Sequence, residues 1–181
     1  RDALNALYAM GGIYAVNILG WTITQLGVFG IIGALSAALF TWIGGKIDSA
    51  RGPKAVIVVS IWVLIAVCLV VGGMSRQYFF SLPITPGSSL PDIIFYICGC
   101  AIGAAGGSLQ AASRTMMVFH TTPERAVEAF GLYALSGRAT TFLGTGAVTV
   151  VTLISGSQRI GIALPLIVLF IAGMLILHWV K

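Results

Sequence analysis

The chain has 181 residues, of which 58% are hydrophobic and only 8% carry a charge. Soluble globular domains carry about 25% charged residues, so this composition excludes an ordinary soluble domain and indicates an integral membrane protein. The net charge of +5 comes without a basic run interleaved with exposed aromatic residues, the pattern typical of nucleic-acid binding, and no nucleic-acid partner is expected.

The apolar stretches of the chain predict an all-α membrane protein, a bundle of six transmembrane helices that forms a single domain. In chain order the predicted spans cover residues 3–19, 22–44, 54–74, 92–119, 124–154 and 159–180. The first span is marginal for a hydrocarbon core about 30 Å thick, and we expect that more helix precedes it. Trp21, just after this span, predicts an anchor at the membrane surface. Span 3 is almost entirely aliphatic, which predicts a lipid-facing helix, while Trp62 in its middle favours core packing.

Glycine and alanine recur along spans 2 and 4, which predicts that other helix backbones approach these two spans closely. On span 4, Gly99, Gly103, Gly107, Gln110 and Arg114 share one face at steps of three and four residues. A packing seam explains the glycines, but it does not explain why Gln110 and Arg114 lie on the same face.

Charged residues are concentrated in the connections on one side of the predicted bundle. The loop at residues 45–54 is the most charged, and within it Gly52-Pro53 ends one helix and begins the next. By the positive-inside rule, this loop, the turn at residues 119–125 and the C-terminus are cytoplasmic. The expected location is a bacterial inner membrane, with the lipid bilayer as the surrounding partner.

Span 5 carries Arg138 about nine residues inside its apolar limit, which corresponds to a depth of about 14 Å. A buried arginine at that depth costs roughly 3 kcal/mol unless it faces a partner, a cavity or a bound anion. Thr141, Thr145, Thr149 and Thr152 continue a polar face from Arg138 at helical spacing. Arg138 therefore either belongs to a functional site or makes a structural contact that holds this helix against a neighbouring one.

The chain lacks the patterns of a membrane enzyme. All three cysteines fall within apolar spans, and Cys98-Gly-Cys100 does not have the spacing of a metal site. No paired carboxylates, metal-ligand cluster or nucleophile with a neighbouring base is present in the sequence. We therefore expect no catalytic residue, no metal and no cofactor.

Several motifs resemble those of a known transporter family. Gly44-x-x-x-Asp48 with Arg51-Gly-Pro-Lys54 is similar to the loop between the second and third helices of a major facilitator superfamily half. A longer series resembles the vacuolar-effluxer-like branch of that superfamily. Its members are Gly106-Gly-Ser-Leu-Gln-Ala-Ala-Ser-Arg114, Pro123-Glu124, Phe130-Gly-Leu-Tyr133, Leu135-Ser-Gly-Arg138 and Gly156-Ser-Gln-Arg159.

The resemblance implies that the chain is the C-terminal six-helix half of a twelve-helix secondary transporter. Such a protein moves a small anionic or zwitterionic solute, such as an amino acid, by rocking two halves around a site near the midplane. The residues expected at the substrate and coupling site are Arg138, Gln110, Arg114, Tyr133, Thr141 and Asp2. The cytoplasmic gate is expected to hold Asp48 against the basic residues Lys46, Arg51 and Lys54.

In this interpretation Arg138 attracts a carboxylate of the solute, and Gln110, Tyr133 and Thr141 add hydrogen bonds. Asp2 is expected to carry a proton or to act as the counter-ion of Arg138, and to lie within the membrane. For Asp48, the alternative is an ordinary solvated loop that follows the positive-inside rule.

A second hypothesis places the chain in a different class of protein. Six helices alone cannot enclose a two-sided cavity, so the chain needs a missing N-terminal six-helix half or a partner subunit. A transport-inactive half-transporter could serve as a structural or assembly subunit of a larger membrane complex. The coding sequence upstream of Arg1 is expected to separate the two: six further spans favour transport, and a nearby start favours a subunit.

Overall fold

The structure, a computed structural model, describes residues 2–75, 77–80, 82–83, 85 and 88–179. Within these residues the chain forms helices connected by short turns, with one minimal hairpin. The helices are α1 (Asp2–Asn17), α2 (Ile23–Arg51), α3 (Pro53–Gly73), α4 (Leu90–Phe119), α5 (Ala126–Ala139), α6 (Thr141–Ser155) and α7 (Gln158–Trp179). A 3-10 turn covers Pro123–Arg125, and the strands β1 (Tyr78–Phe79) and β2 (Leu82–Pro83) pair antiparallel.

Five helical segments are long and apolar enough to cross a membrane, which confirms a helical chain of membrane-spanning character. They are Ile23–Arg51, Pro53–Gly73, Leu90–Phe119, Pro123–Ser155 and Gln158–Trp179. Six spans were predicted, and the first of them corresponds to α1. The 16 described residues of α1 extend over about 24 Å, which is short of a hydrocarbon core about 30 Å thick.

The connection predicted at residues 45–54 is almost entirely helical. α2 continues past the predicted end at Gly44 to Arg51, since the single glycine pair Gly44-Gly45 does not stop the helix and no proline occurs in it before Pro53. Gly52 has a φ of +82°, and Pro53 occupies the first turn of α3, so these two residues make the whole turn. We call the end of the bundle that contains this turn and the α4–α5 connection the basic end. The opposite end, which contains β1 and β2, is the hairpin end.

The predicted fifth span is divided at Thr140 into α5 and α6. The Thr140 hydroxyl donates to the carbonyl oxygen of Ser136 at 2.8 Å, and the Thr140 N–H donates to the same oxygen at 3.2 Å. Bonding of a threonine hydroxyl to a carbonyl four residues earlier often bends a helix, but Thr149 makes the same bond to Thr145 within the continuous α6, so this bond alone does not account for the interruption. The ends predicted for spans 3, 4 and 6 lie within two residues of those found, apart from residue 180, which lies outside the described part of the chain.

α3 and α4 form the centre of the bundle. α4 packs against both α2 and α3, α3 also packs against α7, α7 against α6, and α1 against α6 and α7. The prediction that span 3 faces lipid was wrong, since residues such as Leu64 and Cys68 are fully buried. Trp62 was expected in the core and is instead 58% exposed. A uniformly apolar helix has no polar face that could show which side turns inward.

The contact between α2 and α4 depends on small residues, as the sequence predicted. Gly103 lies so close to the Gly33 backbone that a β-carbon on Gly103 would overlap the Gly33 carbonyl oxygen. The hydroxyl of Ser36 donates to the carbonyl oxygen of Cys100 at 2.8 Å, and that of Ser108 donates to Phe40 at 2.9 Å. The two helices are thus joined by close backbone packing and by hydrogen bonds between them.

An aromatic cluster closes the hairpin end. Trp21 is 5% exposed, and its indole N–H donates to a carboxylate oxygen of Asp92 at 2.6 Å. The Trp21 ring stacks on Tyr96 at 4.6 Å and meets Phe95 and Phe29 edge to face. Trp21 is therefore a buried packing residue that joins α2 to α4, and the prediction of a surface anchor was wrong.

A candidate solute-binding cavity

A cavity of about 330 Å³ lies between α1, α3, α4, α5 and α7. Its polar lining consists of Asp2, Gln110, Ser113 and Tyr133, and its apolar walls come mainly from α3 and α7. The cavity thus brings together three residues predicted at the substrate site, Asp2, Gln110 and Tyr133, which are far apart in sequence. A small number of polar groups in an otherwise apolar cavity is the usual composition of a small-molecule site.

The position of the cavity along the bundle follows from α1. At the hairpin end, the side-chain amide of Asn17 donates to Gln158 at 3.4 Å, which places the end of α1 level with the start of α7. Asp2 lies fifteen residues earlier in the same helix, about 22 Å toward the basic end. The cavity thus lies toward the basic end of α1, about 22 Å along the helix axis from the Asn17–Gln158 contact.

The Asp2 carboxylate has one buried oxygen, Oδ1, without a hydrogen-bond partner among the described residues. Buried polar atoms are almost always hydrogen-bonded, so this oxygen can accept a hydrogen bond from a donor group that enters the cavity.

Tyr133 connects α5 to α4 through a short hydrogen-bonded chain. The Ser113 hydroxyl donates to the backbone carbonyl of Gln110 at 3.0 Å. Since a serine has only one hydroxyl hydrogen, the Tyr133 hydroxyl is the donor in its 2.8 Å contact with Ser113. This chain holds the Tyr133 ring at the cavity wall and links it to the turn of α4 that carries Gln110.

Sequence reasoning missed Ser113. It lies three residues after Gln110, a spacing that places two side chains on the same side of a helix. The spacing from Gln110 to Ser113 can be read from the sequence. The predicted face instead continued the glycine series from Gln110 to Arg114, and so it left out Ser113.

Arg138 and Arg114 do not line this cavity. Arg138 is exposed in the last turn of α5, five residues after Tyr133 and therefore about 140° around the helix from it. Arg114 is exposed as well and directly follows Ser113 on α4. The side chain of Thr141 lies outside the described part of the chain. Arg138 is thus directed away from this cavity, on a helix that makes few contacts with the rest of the described bundle.

The residues of the expected gate lie in and around the last turn of α2. Asp48 is partly buried, and its Oδ1 has no hydrogen-bond partner in the described part of the chain. The ammonium group of Lys46 lies 3.8 Å from the centre of the Trp42 ring, a cation–π contact. Asp48 and Lys46 are two residues apart on one helix, and side chains with that spacing point in different directions. Arg51 is exposed, and Lys54 is partly buried in the first turn of α3.

Among the described residues, no group of three or more histidine, cysteine, aspartate or glutamate side chains could hold a metal ion. Comparison of the chain with known protein families, with curated proteins and with solved structures found no match. The resemblance to the major facilitator superfamily therefore stays a prediction.

Proposed function

We propose that the chain is one six-helix bundle of a secondary active transporter of the major facilitator type. In this proposal it lies in a bacterial inner membrane and pairs with a second six-helix bundle. Together they move a small anionic or zwitterionic solute, such as an amino acid, by alternating access. The observation that carries the proposal is the cavity between the helices in which Asp2, Gln110, Ser113 and Tyr133 meet.

The pattern of helix contacts also supports a transporter bundle. The chain can be divided into α1–α2–α3 and α4–(α5, α6)–α7, and the helices of the two sets run in opposite directions. In this division α1 corresponds to α4, α2 to the α5–α6 pair and α3 to α7. The α2–α4 contact then has its counterpart in α6–α1, the α3–α4 contact in α7–α1, and the α2–α3 contact in α6–α7. The α3–α7 contact is its own counterpart. Each extensive contact between the described long helices thus has a counterpart. Inverted repeats of this kind are common in secondary transporters.

The cavity residues have complementary roles in this proposal. The unpartnered Oδ1 of Asp2 accepts a hydrogen bond from an ammonium group of the solute, or binds the coupling proton. Gln110 offers both a donor and an acceptor, and the Tyr133–Ser113 chain fixes the aromatic wall. Arg138 lies outside this cavity, on a face that the described helices leave open, where it would attract an anionic group of the solute to the space between the two bundles.

Uptake by liposomes that contain the purified protein with its second bundle tests this proposal. We expect Arg138→Ala to reduce uptake at least tenfold, because a charge-assisted hydrogen bond contributes about 1.5–3 kcal/mol. Arg125→Ala, which removes an exposed arginine from the 3-10 turn, is the matched control and should transport normally. Unchanged uptake by a folded Arg138→Ala variant would reject the role of Arg138.

A structural subunit of a larger membrane complex is the second candidate. The observation that favours it is the exposure of α2, on which Ser36 and Gly44 are the only buried residues. Under this alternative, the open face of α2 packs against another subunit. The two candidates differ in ligand response. A transporter should be stabilised against heat by at least one solute in a screen of amino acids and small anions, whereas a structural subunit should copurify with a partner and show no such response.

A further inference from the structure

A second cavity, of about 550 Å³, runs along the outside of the bundle between α2 and α3. Both helices pack more extensively on α4 than on each other, which leaves a trough between them. Small residues of α4 form its floor, among them Ala101, Ala104 and Ala105. Larger aliphatic and aromatic side chains form its rims, including Phe40 at 45% and Val59 at 63% exposure. We call this trough the α2–α3 groove.

The interior of the α2–α3 groove suits an apolar occupant. Two of its few polar side chains, Ser36 and Ser108, have already donated their hydroxyl hydrogens to carbonyl oxygens across the α2–α4 contact. A polar solute would therefore lose its hydration without gaining donors from these two residues, which is unfavourable. A hydrocarbon chain loses nothing by entering such a groove.

The end of the groove that lies at the basic end of the bundle is positively charged rather than apolar. Arg51, the last residue of α2, lines the groove there and is exposed. Ala55 and Val56, in the first turns of α3, line it as well. Gly52 provides no side-chain cap for α3, and Arg51 comes two residues before the first residue of α3, whose N-terminal end is positive. This combination complements a phosphate group.

The length of the groove agrees with one leaflet of a bilayer. Its lining on α2 extends from Ser36 to Arg51, fifteen residues or about 22 Å. Half of a hydrocarbon core of about 30 Å is about 15 Å. An acyl chain that starts at the headgroup level near Arg51 can therefore lie in the groove down to the midplane and slightly beyond it.

We propose that the α2–α3 groove is a binding site for an anionic glycerophospholipid, with one acyl chain in the groove and the phosphate on Arg51. The proposal requires that the chain lies in a membrane, and it is independent of the transport proposal. The lipid would fill the space between α2 and α3 and stabilise the long, little-buried α2.

Native mass spectrometry of the delipidated protein, titrated with phosphatidylglycerol or phosphatidylcholine, tests the site. The unmodified protein should retain phosphatidylglycerol in preference to phosphatidylcholine. Arg51→Gln should weaken phosphatidylglycerol binding about tenfold, the effect of losing one charge-assisted hydrogen bond. Lys46→Gln is the matched control, because Lys46 lies over Trp42 and does not line the groove. It should weaken binding by less than about threefold.

A second pair of variants tests the groove without changing charge. Val63→Trp places a large ring in the groove and should abolish the retention of phosphatidylglycerol, while Leu69→Trp, on an exposed part of α3 outside the groove, should not. Equal losses in Arg51→Gln and Lys46→Gln would overturn the phosphate assignment. Retention by Val63→Trp equal to that of Leu69→Trp would overturn the groove as the site of the acyl chain.

Discussion

Tyr14 shows how a single hydroxyl group can join two helices of this bundle. The side chain is fully buried, and its hydroxyl lies 2.6 Å from the Met74 carbonyl oxygen and 3.1 Å from that of Val71. These carbonyls lie at the C-terminal end of α3, where the helix runs out of N–H donors, and the Val71 carbonyl also accepts from the Met74 N–H at 3.4 Å. The Tyr14 ring also stacks on Phe95 at 5.3 Å. Tyr14 therefore connects α1, α3 and α4 at the hairpin end.

Tyr14→Phe should lower the free energy of unfolding by about 1–2 kcal/mol, because the Met74 carbonyl loses the Tyr14 hydroxyl donor in a buried position. The change can be measured by reversible unfolding in mixed detergent micelles. Tyr8→Phe on the same helix is the control, since the Tyr8 side chain is 44% exposed. It should change stability by less than about 0.5 kcal/mol. Equal effects of the two variants would show that the Tyr14 hydroxyl contributes nothing specific.

The α2–α4 pair shows how glycines set the distance between two elements. α2 is long and little buried, so its position depends mainly on this contact with α4. At Gly103 the neighbouring atoms are backbone atoms of Gly33, which cannot rotate away as a side chain can. Any side chain at position 103 must therefore push the two helices apart.

We expect Gly103→Ala to lower the free energy of unfolding by about 1–3 kcal/mol, the usual cost of an added group in a well-packed contact. Gly27→Ala on α2 is the matched control, because an added β-carbon there has no neighbour within 4 Å. It should be neutral or slightly stabilising, since alanine has a higher helix propensity than glycine. A Gly103→Ala variant as stable as Gly27→Ala would contradict the close approach of α2 and α4.

At the scale of the whole molecule, the alternation of helix directions places the connections at two opposite ends. The basic end carries Lys46, Arg51, Lys54 and Arg125. The positive-inside rule predicts that this end is cytoplasmic. The same prediction places the α6–α7 turn on the outer side of the membrane.

Cysteine labelling in whole cells tests this orientation. In a background without Cys68, Cys98 and Cys100, a membrane-impermeant maleimide should label Ser155→Cys in intact cells. Ser49→Cys, which is exposed at the basic end, should react only after the membrane is permeabilised. The reverse pattern would invert the topology, and labelling of both positions from outside would contradict the separation of the two ends.

The positions of most helices could be read from the chain because they depend on local information. Apolar run length, the Gly52-Pro53 turn and the small residues of spans 2 and 4 are properties of neighbouring residues. Gln110 was also identified locally, as a polar residue on the small-residue face of span 4, whereas Asp2 and Tyr133 were expected from the resemblance. Local patterns therefore identified the elements and part of the candidate site.

The fold decided which of these residues meet, since their partners are distant in the chain. Asp92, the hydrogen-bond partner of Trp21, is 71 residues away in the chain. Because this partner cannot be found from neighbouring residues, Trp21 was expected to be a surface anchor and is in fact a packing residue. Tyr133 faces the cavity and Arg138 does not, because about 140° of helical rotation separates them. The uniformly apolar α3 could not reveal its inward side, because burial is a relation between helices and no single helix encodes it.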